Sequence, residues 1–316
     1  MFLKNYNRNI LKMKITFIDQ YSYLGGGQII LISLIKSLGE NSKIKVIFPL
    51  GGNLEKKIKK LNHKNIEFFN INENDFKYSK NNFLSILKVF KNNFLIFFKY
   101  FYQIKSSDFI YCNAPRLFIF CAMASIFLKK KSNYHIHINY NFYEAILISL
   151  ISRIKSTNKV IFCSKYVFNN FNNNFIPLNK KKISIIENAL SEEFYNEKYK
   201  NRFVLNNKKS LLKIAIIGAL KPEKGQDIVP SIAKNFPKID FFLIGKDSKD
   251  NQGWIDKLKY QKSSNIFFQT ELIDIKEFID RNHINIFLVP SKWDEPFGLV
   301  AIEGMSLSCI TIVQIE

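Results

Sequence analysis

Short apolar runs alternate with stretches of helical spacing from residue 15 to residue 313, and this rhythm limits the chain to few folds. The run at 15–18 reads as a buried strand, and those at 45–48, 66–69, 108–112, 134–138, 159–163 and 183–186 read as further strands. Between them, 28–38, 54–61, 83–104, 116–128, 142–154 and 165–171 carry helical patterns. Strands separated by helices cannot pair as hairpins; each connection is a crossover, and the sheet is parallel. A polar stretch at 191–210 breaks the rhythm and reads as a linker or surface loops. Strands at 213–218, 241–244, 266–268, 286–289 and 310–313 then alternate with helices at 227–235, 254–261, 275–282 and 298–305. The expectation is α/β, with two Rossmann-like, doubly wound domains at 1–190 and 191–316. Residues 1–12 read as a loose extension or the product of a misplaced start codon. Ligands of such sheets bind beyond the carboxyl ends of the strands, so two facing domains would bind between them.

Composition narrows the class. Of 316 residues, 47% are hydrophobic and 23% charged, which excludes a disordered chain. Cys112, Cys121, Cys163 and Cys309 form no C-x-x-C pair. That argues against a disulfide scaffold or a cysteine zinc site, and fits a reducing, cytoplasmic compartment. The formal net charge of +21 has three readings. The basic residues are nearly all Lys; the arginines are Arg8, Arg116, Arg153, Arg202 and Arg281. Nucleic-acid readers lean on Arg for bidentate base contacts, so nucleic acid ranks last and no such partner is expected. A compositional origin ranks first, because Lys, Asn, Ile, Phe and Tyr share A/T-rich codons. Attraction to an anionic membrane face can ride on top of it. The start lacks the apolar core of a signal peptide. The stretch 117–128 is too short to span a bilayer, and 83–104 is interrupted by Lys88, Lys91 and Lys99. The aromatic, basic stretch from 83 to 105 reads first as a core helix with a lysine-bearing face and second as a helix lying at a membrane interface.

The most informative string runs from Val289 through Glu295, Pro296, Phe297, Gly298 and Leu299 to Glu303 and Met305. A strand ends at Pro290 and a polar loop carries Glu295. Pro296 suits the opening of a helix, where its missing N–H costs nothing. Phe297, Gly298 and Leu299 would then offer free backbone N–H groups to an anion. If the intervening rise is helical, Glu303 lies about 12 Å beyond Glu295. Two carboxylates so placed can meet both ends of an extended nucleotide-sugar, since carboxylates are good acceptors for sugar hydroxyls. Two bare glutamates would be an ordinary helix-dipole pair; the whole string is far more specific.

Here the chain resembles the retaining GT-B glycosyltransferases of glycosyltransferase family 4, whose Glu-x7-Glu motif matches Glu295 and Glu303. The resemblance implies that Glu295 contacts the donor sugar and Glu303 the nucleotide ribose, with the backbone of Phe297, Gly298 and Leu299 cradling sugar and diphosphate. The string from Ile217 and Gly218 to Lys224, Gly225 and Asp227 resembles the family's donor-phosphate loop. Ala219 stands where many members have Arg, so Lys224 carries more of the charge or another basic residue substitutes. Gly25, Gly26 and Gly27, followed by Gln28, resemble the family's first-domain loop that contacts phosphate or acceptor. In Tyr134 to Asn139, His137 fits a family histidine near the transferred sugar, with His135 as alternate. Asn113 and Asn188 match strand-end and hinge positions.

The resemblance runs from about residue 14 to residue 313. Family members usually continue into a Gly-Gly loop and further helices, whereas this sequence stops at Glu316; a shortened C-terminus with impaired activity is one expectation. The implied activity is sugar transfer from a nucleotide-sugar to an acceptor hydroxyl with retention, catalysed by Glu295 and His137. No cofactor or essential metal is implied, and no Asp-x-Asp is present. The acceptor is a saccharide or lipid-linked saccharide, and the setting envelope polysaccharide or lipopolysaccharide assembly, with peripheral contact to the inner membrane face. A non-catalytic nucleotide-sugar-binding protein is the rival. A dinucleotide oxidoreductase is disfavoured because Gly25–Gly27 lacks the Gly-x-Gly-x-x-Gly spacing.

Overall fold

The computed structural model describes residues 13–76, 83–140, 142–174, 177–191, 194, 212–247, 251–270 and 274–314. The expected extension at 1–12 and most of the 191–210 linker lie outside the described residues. Two compact units divide the chain between Ala189 and Leu190.

In the first unit, β1 (Lys14–Ile18), β2 (Lys43–Phe48), β3 (Ile66–Asn70), β4 (Phe109–Cys112), β5 (Lys131–Ile136), β6 (Thr157–Phe162) and β7 (Ile183–Ile185) form one sheet. Its order is β3-β2-β1-β4-β5-β6-β7 and every pairing is parallel. The order reverses direction between β1 and β4. The helices are α1 (Gly26–Ser37), α2 (Asn53–Lys59), α3 (Phe83–Lys99), α4 (Phe101–Lys105), α5 (Phe118–Phe127), α6 (Phe142–Arg153) and α7 (Lys165–Asn174). Ile15, Phe17, Ile44, Val46 and Phe48 pack with Leu31 and Ile35 of α1 and Leu54 and Ile58 of α2 into one apolar cluster. The strands are apolar at successive positions because helices cover both faces of a parallel sheet.

The second unit repeats the plan with five strands: β8 (Lys213–Ile217), β9 (Asp240–Ile244), β10 (Ile266–Gln269), β11 (Ile286–Val289) and β12 (Ile310–Val313). They lie in the order β10-β9-β8-β11-β12, all parallel. Direction reverses between β8 and β11. The helices are α8 (Val229–Asn235), α9 (Gln252–Tyr260), α10 (Ile275–Asn282) and α11 (Leu299–Ser306). Alternate strand residues feed two cores. Ile214, Ile216, Phe241 and Leu243 face one, and Ala215, Phe242, Ile244 and Phe287 the other. The α/β class and the two Rossmann-like sheets expected from the sequence are therefore present.

Several elements differ from expectation. The stretch 83–104 is two helices, broken at Tyr100, where φ −108° and ψ 17° leave the helical region. The helix expected at 227–235 begins with a 3-10 turn at Gln226–Ile228 and becomes α-helical at Val229. The strand expected at 134–138 ends at Ile136, its last partner on β6 being Phe162. Most consequentially, α11 starts at Leu299 behind Gly298, whose φ of 80° turns the chain into the helix. Pro296 and Phe297 therefore precede the helix, and only the residues from Leu299 to Glu303 rise helically, about 6 Å. The expected 12 Å of helical rise between Glu295 and Glu303 is not present.

Candidate functional site

Both sheets place polar groups at the carboxyl ends of the two strands where strand order reverses. That is where open α/β sheets bind ligands.

In the second unit, β8 leads into Gly218 and a 3-10 turn at Pro222–Lys224, and β11 leads into the loop 290–298. The two loops are bolted together. Lys292 donates its backbone N–H to the Glu223 carbonyl at 2.9 Å, and its Nζ meets Asp227 Oδ2 at 2.6 Å. Gly225 has φ 70°, and a Cβ there would lie 1.8 Å from the Pro290 carbonyl oxygen. Only glycine lets the backbones approach this closely. The clamp delivers Lys224 to Glu295, with Nζ 2.5 Å from Oε1. The same Oε1 accepts from Ser291 Oγ at 2.7 Å, and the Lys224 ammonium lies 5.0 Å from the centre of the Trp293 ring. Both charged side chains keep about a quarter of their surface exposed (24% and 26%). Buried Gln226 ties the loop back to its own start beyond β8, donating to the Ala219 carbonyl at 3.0 Å. Glu303 is buried on α11, one turn past Leu299. The sequence-predicted Lys224 and Glu295 are thus brought into direct contact, with Gly218 at the foot of their loop. Phe297, Gly298 and Leu299 supply the approach to α11.

In the first unit, β1 leads into Asp19 and β4 into Asn113. Asp19 is fully enclosed and accepts four hydrogen bonds. Asn113 Nδ2 donates to Oδ2 at 2.6 Å, Gln28 Nε2 to both oxygens at 3.1 and 3.0 Å, and the Tyr21 N–H to Oδ1 at 3.0 Å. Burial pushes its carboxyl up to about 6, against those hydrogen bonds. Asn113 also donates to the Gly27 carbonyl at 3.2 Å, and its Oδ1 lies 2.7 Å from His137 Nε2. Gln28 closes the network by accepting from the Gly25 N–H at 3.1 Å. His137, one residue beyond β5, lies beside His135 with ring centres 3.9 Å apart and ring planes tilted by 41°. Although β5 stops short of it, the two rings share a side as strand alternation would have placed them. Burial pulls the His137 imidazole down to about 4 and the His135 imidazole well below its usual range. Gly27 lies beneath His137: a Cβ there would sit 3.1 Å from the ring. The predicted Gly25, Gly26, Gly27 and His137 therefore share one polar cluster. Sequence reasoning passed over its anchor, Asp19, and over Ser291 and Trp293. For Asp19 the available signal was an acid directly after the first buried strand.

Comparison with known proteins bears on the fold. The model of the family described as "Glycosyl transferases group 1" matches residues 197–314. Curated proteins yield no sequence match. Among solved structures, Alr3699/HepE of Anabaena in complex with UDP-glucose is similar at TM-score 0.71 and 21% identity, covering 95% of this chain and 80% of that one. A glycosyltransferase from Rickettsia africae ESF-5 gives 0.63 and 18%, covering 96% and 79%. The apo lipopolysaccharide outer core galactosyltransferase WaaB gives 0.58 and 16%, covering 95% and 80%. These likenesses establish the fold, which is that of the GT-B glycosyltransferases.

Proposed function

We propose that this chain is a glycosyltransferase that moves a sugar from a nucleotide-sugar donor to an acceptor hydroxyl with retention of configuration. The carrying observation is the contact of Lys224 with Glu295, braced by Ser291, inside the segment that the family model matches. An ion pair this accessible is worth about 1 kcal/mol or less. An arriving diphosphate, with more negative charge than one carboxylate, can therefore take over the Lys224 ammonium. Glu295 is then released to accept hydrogen bonds from hydroxyls of the donor sugar. Glu303 holds the nucleotide ribose, the backbone at Phe297, Gly298 and Leu299 faces the sugar and diphosphate, and Gly218 gives the phosphates room. In the first unit, Gly25, Gly26 and Gly27 contact phosphate or acceptor, and His137 meets the transferred sugar. As the glycosidic bond breaks, charge develops on the leaving diphosphate, and Lys224 and the helix N-termini stabilise it without moving far.

Release of nucleoside diphosphate from a panel of nucleotide-sugars, with and without saccharide and lipid-linked acceptors, tests the reading. Lys224→Ala and Glu295→Gln are expected to lower turnover about 10²–10³-fold, as loss of one preorganised electrostatic contact does. Donor binding without release under any acceptor supports the non-catalytic alternative. Absence of binding to every donor overturns both.

A second reading concerns where the reaction takes place. On α3, Leu87, Phe90, Phe94 and Phe98 form an exposed stripe at helical spacing, beside the exposed Lys88, Lys91 and Lys99. Phe127 of α5 extends it at 67% exposure. Such a face suits the headgroup region of an anionic membrane and a lipid-linked acceptor in envelope polysaccharide or lipopolysaccharide synthesis. Among the described residues no helix is long and apolar enough to cross a membrane. Sedimentation with anionic vesicles tests this reading.

A further inference from the structure

We propose that Asp19 and Asn113 are positioning residues that fix His137 as the neutral imidazole protonated on Nε2, leaving Nδ1 as a hydrogen-bond acceptor for a sugar hydroxyl. The inference rests on the glycosyltransferase reading for the identity of that hydroxyl, but not for the state of the ring.

The argument follows the donors and acceptors. The Asp19 carboxylate offers only lone pairs, and so does the Gly27 carbonyl. Asn113 lies against both, at 2.6 Å and 3.2 Å. Its amide must therefore turn its NH2 group toward them, and both of its hydrogens are used. The flipped amide would set Oδ1 against a carboxylate oxygen at 2.6 Å with no hydrogen between them. The orientation is thus dictated by Asp19 rather than by Asn113 itself. It leaves Oδ1 facing His137 Nε2 at 2.7 Å, and an amide oxygen can only accept. Nε2 consequently carries the hydrogen. Burial removes the alternative of a doubly protonated ring, because the cation would lose its hydration. In a neutral ring protonated on Nε2, the Nδ1 lone pair is free, and Nδ1 is buried with no hydrogen-bond partner among the described residues.

The ring has no freedom to compromise. Gly27 lies close beneath it and His135 packs 3.9 Å away on its side. Gln28 in turn fixes Asp19 by donating to both carboxylate oxygens while it receives the Gly25 N–H. One chain of hydrogen bonds thus joins the glycine loop, β1, β4 and the end of β5 to a single imidazole lone pair. The consequence for chemistry is specific. His137 does not supply positive charge to a diphosphate; it receives a hydrogen bond from a hydroxyl and orients the sugar that bears it.

The test is nitrogen-15 NMR of the histidine rings in the full chain. The sequence has four histidines, and His137→Gln assigns the signal. At pH 7, His137 is expected to show one neutral form with hydrogen on Nε2. In Asp19→Asn, whose side chain can donate as well as accept, that form is expected to give way to a mixture. Asn113→Ala removes the acceptor and gives a second, independent loss of the single form. A ring protonated on Nδ1 or doubly protonated in the unmodified chain overturns the proposal before any variant is made. An unchanged single form in folded Asp19→Asn overturns the role of Asp19. With a competent donor, Asp19→Asn should lower kcat about tenfold or more, with little change in donor KM, as loss of a hydrogen-bond acceptor that orients the sugar mainly in the transition state does. The ring spectrum needs no sugar. If the Nε2 form is found and no donor turns over, the glycosyltransferase reading fails while the positioning network stands. If donors turn over and the ring state is wrong, the reverse holds.

Discussion

Asp19 and His137 sit in one buried network and pull stability in opposite directions with pH. An unfolded carboxyl titrates near 3.9 and an unfolded imidazole near 6.5. Folding raises Asp19 to about 6, so its contribution is full below about pH 4 and is lost as pH rises through 6. Folding lowers His137 to about 4, so its contribution is present above 6.5 and lost as pH falls toward 4. Between about pH 4 and 6 the two nearly cancel, and His135, also lowered, is left to drive acid unfolding. Asp19→Asn removes the opposing member. We expect its stability, from urea unfolding at steps between pH 4.5 and 7, to fall on acidification below about pH 6 more steeply than that of the parent, by about 1.4 kcal/mol per pH unit there, and to run parallel to it above. Parallel curves would show that Asp19 does not hold a proton in the folded chain. At this scale the sequence was legible where a motif carried the residue and blind where only three-dimensional contact did. Glu295 and Glu303 stand out because the string that carries them is specific, and Lys224 only through the resemblance of its loop. Asp19 is one acid after one strand, and its importance comes from Asn113, which lies 94 residues away. No local pattern encodes that contact.

Strands were the most legible elements, though not their order in the sheets. Parallel strands leave apolar runs, and β11, β12 and α10 have the bounds their patterns suggested. Helix starts were less legible, because they depend on backbone turns that several residue types permit. Pro296 is a good first helical residue, yet the chain spends Pro296 and Phe297 on the approach and turns at Gly298. The loop after β8 shows the same limit. Gly225 reads as a spacer beside Lys224, but its place is set by the Pro290 carbonyl, which occupies the position of a Cβ. Gly225→Ala is therefore expected to cost more than about 1 kcal/mol, from the left-handed backbone alone, with the collision adding to it. The loop must move off Pro290, and Lys224 moves off Glu295 with it. Nucleotide-sugar affinity should fall together with the urea midpoint. Unchanged midpoint and affinity would mean that the two loops are not clamped as described.

At the scale of the whole molecule, charge and exposed apolar surface meet along α3 among the described residues. A net charge of +21 spread evenly would give only a general attraction to anions. On α3, however, Lys88, Lys91 and Lys99 border Phe90, Phe94 and Phe98, each of the three rings more than half exposed. The buried side of the same helix, Val89, Asn93, Ile96 and Phe97, already meets the packing need of the fold, so the outer aromatics are not required by it. The sequence sets an interfacial helix second to a core helix with a lysine-bearing face, and vesicle binding is the measurement that decides between them. Each lysine near an anionic bilayer is worth about 1 kcal/mol, so three together change binding on the order of a hundredfold. We expect the chain to sediment with vesicles rich in anionic lipid and not with zwitterionic ones. Binding should drop more than about tenfold between 50 and 500 mM salt, as the screening length shortens from more than 10 Å toward 4 Å. Phe94→Ser with Phe98→Ser should weaken binding at every salt concentration and leave the melting temperature nearly unchanged, since neither ring is buried. Binding that ignores both salt and the double substitution would remove α3 from the membrane. Retention by zwitterionic vesicles alone would leave the lysines with no part in it.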